Sequence, residues 1–185
     1  MGAIKCRLCD ISVNNKSEPT FGYGAIPATL MFIGEAPGAT EARLKIPFVG
    51  KAGILFNKCL GEINLSRNNV YTTNIIKCRP FENDTPKYNE ILNCASYLVK
   101  EIQIVKPKII VLMGSVALNM FFRKAFISRA RGHLFSGIYS DTSFKDISYF
   151  PIYHPSFILR NPSLLPEYKS DFKKIQYFYK QINPI

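Results

Sequence analysis

The sequence predicts an α/β protein, a doubly wound three-layer sandwich with a central four-stranded parallel sheet. Three observations lead there. Four short runs, residues 28–34, 69–77, 107–114 and 147–155, are apolar or β-branched almost without interruption, as strands buried on both faces are. Between and after them lie segments whose apolar residues recur at helical spacing, so strands and helices alternate along the chain. Glycine and proline cluster where the runs end. Such an alternation closes as a parallel sheet with crossover helices on each side.

The elements follow in order. "ATLMFIG" (Ala28 to Gly34) is a buried strand stopped by Gly and Pro. "KAGILFNKCLGEI" (Lys51 to Ile63) has helical periodicity, and "NVYTTNIIK" (Asn69 to Lys77) is a second strand by its β-branched content. "TPKYNEILNCASYLVKEIQIV" reads as a helix with Thr85 as its cap and Pro86 at the first position, ending before Pro107. "PKIIVLMG" (Pro107 to Gly114) is the third strand; "SVALNMFFRKAF" follows as a helix capped by Ser115. "RARGHLFSGIYSD" reads as turns with room for a hairpin, and "ISYFPIYHP" (Ile147 to Pro155) is the fourth strand. "PEYKSDFKKIQYFYKQI" is an amphipathic closing helix. The stretch from Asp10 to Ala25 is loop-like. With no repeats, low-complexity segments or linker, residues 1–185 are expected to form one domain.

Composition narrows the class. Hydrophobic residues make up 47 % and charged residues 20 % of the 185, the balance of a folded soluble chain. No apolar run reaches the ~18–20 residues of a membrane helix. "MGAIKCRLCD" lacks the apolar stretch of a secretory signal, so an intracellular, cytoplasmic or nucleoid-associated monomer is expected. The net charge is +11, from 24 Lys and Arg against 13 Asp and Glu. It fits either a lysine-rich genome or a polyanionic partner such as DNA or RNA, since the basic residues are scattered rather than clustered.

Four of the five cysteines suggest a metal centre. Cys6 and Cys9 form a C-x2-C pair; Cys78 and Cys94 stand apart in "IIKCRP" and "ILNCAS". In a reducing cell that set suits a tetrathiolate site, holding either structural zinc or an iron–sulfur cluster. Cys59 sits at a helical spacing that reads as core.

Ligands of parallel sheets bind beyond the carboxyl ends of the strands. "GEAPG" follows the first strand, Asn74 is near the end of the second, "GSVA" follows the third, and His154 ends the fourth. Glu35, Asn74 and His154 are therefore expected on one rim, with the glycine-rich loop lining a cleft. Taken singly, each has a plainer reading: a capping acid, a turn-forming Asn, a satisfied histidine. "GEAPG" matches neither the P-loop nor the dinucleotide pattern.

"GEAPG", "PFVGKAG", "TTNIIKCRP", "HPSFILRNP" and the four cysteines, taken together and in order, resemble the family-4, iron–sulfur branch of the uracil-DNA glycosylase superfamily. The resemblance runs from Cys6 to Pro162. It implies a structural 4Fe–4S cluster on Cys6, Cys9, Cys78 and Cys94, and hydrolytic removal of uracil from single- or double-stranded DNA. A flipped uracil would meet Asn74 on its Watson–Crick edge, a neutral His154 at O2 and Phe48 on its face, while the Gly34–Gly38 backbone, including Ala36, comes close to base and sugar. Several superfamily members carry an Asp where Ala36 stands; the neighbouring Glu35, which matches the family-4 motif, is the first candidate to position water and Glu41 the second. Another branch excludes thymine with a Tyr where this chain has Gly38. "EARLKIPFVG" departs from the family pattern at Ala42 and Lys45. No histidine-bearing insert follows the second strand, so turnover rather than covalent trapping is expected.

The same resemblance assigns the DNA contacts. Ser156 to Arg160 would enter the minor groove, with Ile158 or Leu159 as the wedge and Arg160 on a phosphate. By position and charge rather than by the resemblance, Lys45, Lys51, Arg79 and Arg131 are further candidates for phosphate contacts. The alternatives are a related glycosylase for another deaminated base such as hypoxanthine, and a non-catalytic iron–sulfur DNA-binding module.

Overall fold

The computed structural model describes residues 6–14, 18–139 and 142–183. Four buried runs form the expected parallel strands: β2 (Leu30–Gly34), β3 (Tyr71–Asn74), β4 (Ile109–Met113) and β6 (Ser148–Ile152). They lie in the order β3-β2-β4-β6, with Phe32 opposite both Thr72 and Val111, and Leu112 opposite Pro151. Two-residue antiparallel strands extend the edges to six: β1 (Tyr23–Gly24) beside β3 and β5 (Phe135–Ser136) beside β6. The hairpin expected in the turn-rich stretch is the β5–β6 pairing; Ser140 and Asp141 lie outside the described residues.

Side chains of each strand alternate between two cores, which is why the runs contain so few polar positions. On one face Met31, Ile33, Ile110, Leu112 and Tyr149 pack with α4 (Tyr88–Val105) and α5 (Ser115–Phe121). On the other, Leu30, Phe32, Val111, Phe150 and Ile152 pack with α3 (Lys51–Glu62), α7 (Pro155–Arg160) and α8 (Leu165–Ile182). Cys59 belongs to this second core and is fully buried, as its spacing suggested. The shorter helices are α1 (Asp10–Asn14), α2 (Ala39–Leu44) and α6 (Ile127–Ala130). Among the described residues no helix is long and apolar enough to cross a membrane.

Two helix starts differ from expectation. α4 begins at Tyr88, with Lys87 rather than Thr85 as its cap, because Glu90 reaches back to accept the Lys87 backbone N–H at 2.7 Å. α5 begins at Ser115, and its cap is Gly114 at φ +90. A Cβ at Gly114 would lie 3.1 Å from His154 Cβ, so the glycine lets β4 back directly onto the histidine. The loop-like N-terminal stretch contains α1, whose Ile11 is buried in the first core.

Candidate active site

The carboxyl ends of the four parallel strands open into a cleft of about 920 Å³. Glu35 and Gly38 line it after β2, Asn74 at the end of β3, Gly114 after β4, and His154 after β6. Ala36, Glu41, Phe48, Lys51, Ser156 and Arg160 complete the walls that concern the chemistry. Gly34 lies at the meeting point. A Cβ placed there would be 2.5 Å from Phe48 Cζ, 2.7 Å from Asn74 Oδ1 and 3.4 Å from His154 Nε2. Three side chains from distant segments thus converge on one backbone atom, and only a glycine leaves the space between them open.

Each converging group has a defined state. Asn74 is buried at 2 % exposure, and its Oδ1 has no hydrogen-bond partner. A buried carbonyl left without a donor costs ~1–3 kcal/mol, so the site carries an acceptor awaiting an N–H. His154 Nδ1 accepts the Ser156 backbone N–H at 3.2 Å, and Ser156 Oγ lies 2.7 Å from the same nitrogen. That leaves the ring proton on Nε2, the atom facing Gly34. Burial, assisted by the nearby Arg160 charge, pushes the His154 pKa down to about 4, so the ring is a neutral donor. Burial pushes the Glu35 pKa up, and the Arg160 charge opposes it.

Phe48 is held in the left-handed region at φ 57, an unfavourable conformation for a bulky residue. Its ring is tilted 42° against Phe56 at 5.5 Å and 40° against His154 at 6.0 Å. Glu41 Oε1 accepts the backbone N–H groups of Val49 at 3.0 Å and Gly50 at 2.7 Å, so this carboxylate braces the Phe48 loop.

The groups nominated for DNA contact divide. Leu159 and Arg160 are exposed on α7, whereas Ile158 is 2 % exposed and packs in the core, which leaves Leu159 as the accessible aliphatic. Lys51 is exposed at the cleft wall. Lys45 is exposed but pairs with Glu18 at 3.5 Å. Arg79 Nε donates to Asn83 Oδ1 at 2.9 Å. Arg131 is taken up by Glu167 and Asp171, both at 2.9 Å, and stacks over Tyr153.

Cys6, Cys9, Cys78 and Cys94 line one small pocket with Ile11, Ile76 and Tyr97. Burial and the three neighbouring thiols push the Cys78 pKa up to about 12. The Lys77 backbone N–H donates to Cys94 Sγ at 3.3 Å, a bond that favours a thiolate. Among the described residues, no three or more His, Cys, Asp or Glu side chains stand close enough to hold a metal ion.

Sequence reasoning missed two residues beside the site. Lys77 is buried at 1 % exposure; its Nζ donates to Glu101 Oε2 at 2.6 Å, Thr73 Oγ1 at 2.7 Å and the Asn74 carbonyl at 2.8 Å. Arg67 lies behind the Phe48 loop. A lysine inside "NIIKC" gives a pattern signal, an ionisable group in an apolar run; Arg67, in a polar turn, gives none.

The chain as a whole is similar to known proteins. The family model described as Uracil DNA glycosylase superfamily matches residues 21–180. A type-4 uracil-DNA glycosylase of Archaeoglobus fulgidus is 38 % identical over 177 residues, covering 93 % of this chain and 87 % of that protein. One from Sulfurisphaera tokodaii is 40 % identical over 180 residues, covering 94 % and 80 %. One from Thermotoga maritima is 35 % identical over 161 residues, covering 86 % and 80 %.

Proposed function

The chain belongs to the uracil-DNA glycosylase superfamily, and on that premise we propose that it hydrolyses the bond between uracil and deoxyribose in DNA, leaving an abasic site. The observation that carries this reading is the convergence on Gly34 of an orphaned Asn74 acceptor, a neutral His154 donor and the Phe48 ring.

Extruding a nucleotide costs a few kcal/mol, which a fitted pocket offsets. Uracil presents N3–H and O4 on its pairing edge. The Asn74 carboxamide offers Oδ1 to the first and its NH2 to the second; cytosine, with the opposite polarity, leaves both unmatched. As the glycosidic bond stretches, negative charge gathers on the base and positive charge on the sugar. The His154 Nε2–H stabilises the charge at O2, and a neutral imidazole does so without giving up its proton. Glu35, ionised, positions water and offsets the sugar cation. Glu41, committed to two backbone amides, acts as a brace for the Phe48 loop. Leu159 serves as the groove wedge, with Arg160, Lys51 and Ser156 on the DNA backbone. A DNA substrate puts the enzyme's work inside the cell, and we read the chain as one glycosylase-like domain.

Cys6, Cys9, Cys78 and Cys94 would hold a 4Fe–4S cluster. The fit rests on four thiols around one apolar pocket. When bound, the cluster supplies a structural cross-link, with no redox change in the reaction.

The test is incubation with a uracil-containing oligonucleotide, then alkaline cleavage at abasic sites, with His154→Ala alongside. Strand scission by the wild-type protein, greatly slowed in the variant, is expected. Scission only at hypoxanthine, or DNA binding without base release, would replace the reading with one of its alternatives.

A further inference from the structure

The loop that carries Phe48 is gripped from both sides of its backbone. On the amide side, Glu41 Oε1 takes the N–H groups of Val49 and Gly50. On the carbonyl side stands Arg67, from the turn between α3 and β3. Its Nη2 donates to the Pro47 carbonyl at 2.8 Å and its Nη1 to the Phe48 carbonyl at 3.4 Å. The guanidinium is sandwiched at 5.7 Å from the Tyr23 ring centroid and 5.9 Å from that of Phe56. Burial pulls its pKa down to about 10, so it stays charged at neutral pH. Gly53 of α3 forms the seat below: a Cβ there would stand 1.9 Å from the Phe48 carbonyl oxygen.

A left-handed φ in a phenylalanine persists only where the surroundings over-determine it. Arg67 does not line the cleft, yet it holds the two carbonyls that orient the Phe48 peptide. The hydrogen bonds run in a planar fork that a lysine's single ammonium reproduces only in part.

We propose that Arg67 is a positioning residue for uracil recognition: from outside the cleft it holds Phe48 in its left-handed conformation and so sets the ring on which the extruded base stacks. This rests on the glycosylase reading above. Loss of Arg67 lets the 47–48 carbonyls rotate, and the ring leaves the stacking plane while Asn74, His154 and the DNA-contacting α7 are untouched.

The experiment separates base recognition from grip on DNA. Free uracil inhibition reads the base pocket alone; affinity for an oligonucleotide with a tetrahydrofuran abasic analogue reads the backbone contacts alone. For Arg67→Gln the uracil inhibition constant is expected to rise about tenfold, in line with the value of one base–aromatic stack. Abasic-DNA affinity is expected to move less than about twofold, and Arg67→Lys to fall between wild type and Arg67→Gln. In a Phe48→Leu background Arg67→Gln should add nothing, since the two act on one interaction. Thermal midpoints identify variants that fold; if Arg67→Gln does not, the Arg67→Lys comparison carries the test. An unchanged uracil inhibition constant, equal losses on uracil and abasic DNA, or additive losses with Phe48→Leu would each overturn the proposal. Wild-type protein that releases no uracil would instead overturn the glycosylase reading itself.

Discussion

His154 and Ser156 form a closed pair in which the Ser156 backbone N–H points into Nδ1 at 3.2 Å with its hydroxyl 2.7 Å from the same atom. The pair fixes the proton on Nε2, and burial with the Arg160 charge holds the pKa at about 4. Two consequences can be measured. Replacing the donor, His154→Ala, should slow uracil release by ~10²–10³-fold, the usual cost of one donor to a developing anion. Stability should also depend on this ring. The unfolded chain binds a proton near pH 6.5 and the folded chain only near 4, so the unfolded state takes up more protons between those values. The contribution is complete above pH 6.5 and is lost as pH falls through the window, by roughly 3 kcal/mol. Denaturant titrations of wild type and His154→Gln at pH 8 and pH 4 should show that excess loss in the wild type alone.

The acid side of the rate profile belongs to a different group. The water-positioning role proposed for Glu35 requires its ionised form, and burial raises its pKa, so activity should fall as pH drops through that raised value while His154 is still neutral. The Arg160 charge lowers both groups, so Arg160→Gln should move the acid limb to higher pH. A single-turnover pH series would show the shift. An acid limb unmoved by the substitution would remove Glu35 from the role.

Gly34 offers a steric test of the slot. The added methyl of Gly34→Ala would stand 2.5 Å from Phe48 Cζ and 2.7 Å from Asn74 Oδ1. Both are side-chain atoms that can yield, so the protein should fold with an overpacking loss of ~1–3 kcal/mol. The displaced groups would then fill the space of the base. Uracil release is expected to fall by about two orders of magnitude or more, beyond what a ~1–3 kcal/mol stability change explains at a temperature where the variant is folded. Circular dichroism with a single-turnover assay checks both halves.

Much of this geometry was legible in the residues, and the remainder has identifiable causes. The four parallel strands were readable because burial on two faces suppresses polar positions, as in "IIVLM". The rim followed from strand polarity, which carries Asn74 and His154 to the same side. β1 and β5 were not readable, because two residues on a sheet edge leave no periodic trace. The choice between Ile158 and Leu159 needed the rotation of α7 against α3. Arg131, a candidate phosphate contact in the sequence, is an intramolecular partner of Glu167 and Asp171 in the fold. Arg67 gives no signal in the sequence because its partners are backbone carbonyls about twenty residues away.

Lys77 ties the Asn74 end of β3 to the cysteine pocket. Its ammonium bonds the Asn74 carbonyl and Glu101, and its own amide bonds Cys94. Glu101 also accepts the Gly22 N–H at 2.8 Å and the Thr73 hydroxyl at 2.8 Å. Removing the ammonium with Lys77→Met leaves a buried carboxylate without its counter-charge, and a loss of ~3–5 kcal/mol is expected. Adding Glu101→Gln removes that charge, keeps a carbonyl oxygen for the Gly22 N–H and turns an NH2 toward the Thr73 hydroxyl oxygen that Lys77 has vacated, so the double variant should be more stable than Lys77→Met alone. Urea midpoints of the three proteins decide it. A double variant weaker than the single would mean that the pair does not govern this part of the core.

The cysteine pocket leads to the final expectation. Four thiols share one apolar wall, and burial, with the neighbouring thiols, pushes the Cys78 pKa up to about 12. Binding iron must therefore displace protons, so loading should weaken as pH falls. Protein purified without oxygen should carry about four irons with matching sulfide and a broad brown absorption. Cys78→Ser should abolish the colour, whereas Cys59→Ser, in the core beside Phe56 and Leu60, should keep it. A cluster on these four cysteines would join the segment around Cys6 and Cys9 to the end of β3 and to α4, so its removal should lower the thermal midpoint while the Asn74–His154 side of the sheet stays formed. Stoichiometric zinc in a colourless protein, or an unchanged midpoint after iron is stripped, would sink the cluster assignment without touching the chemistry at Gly34.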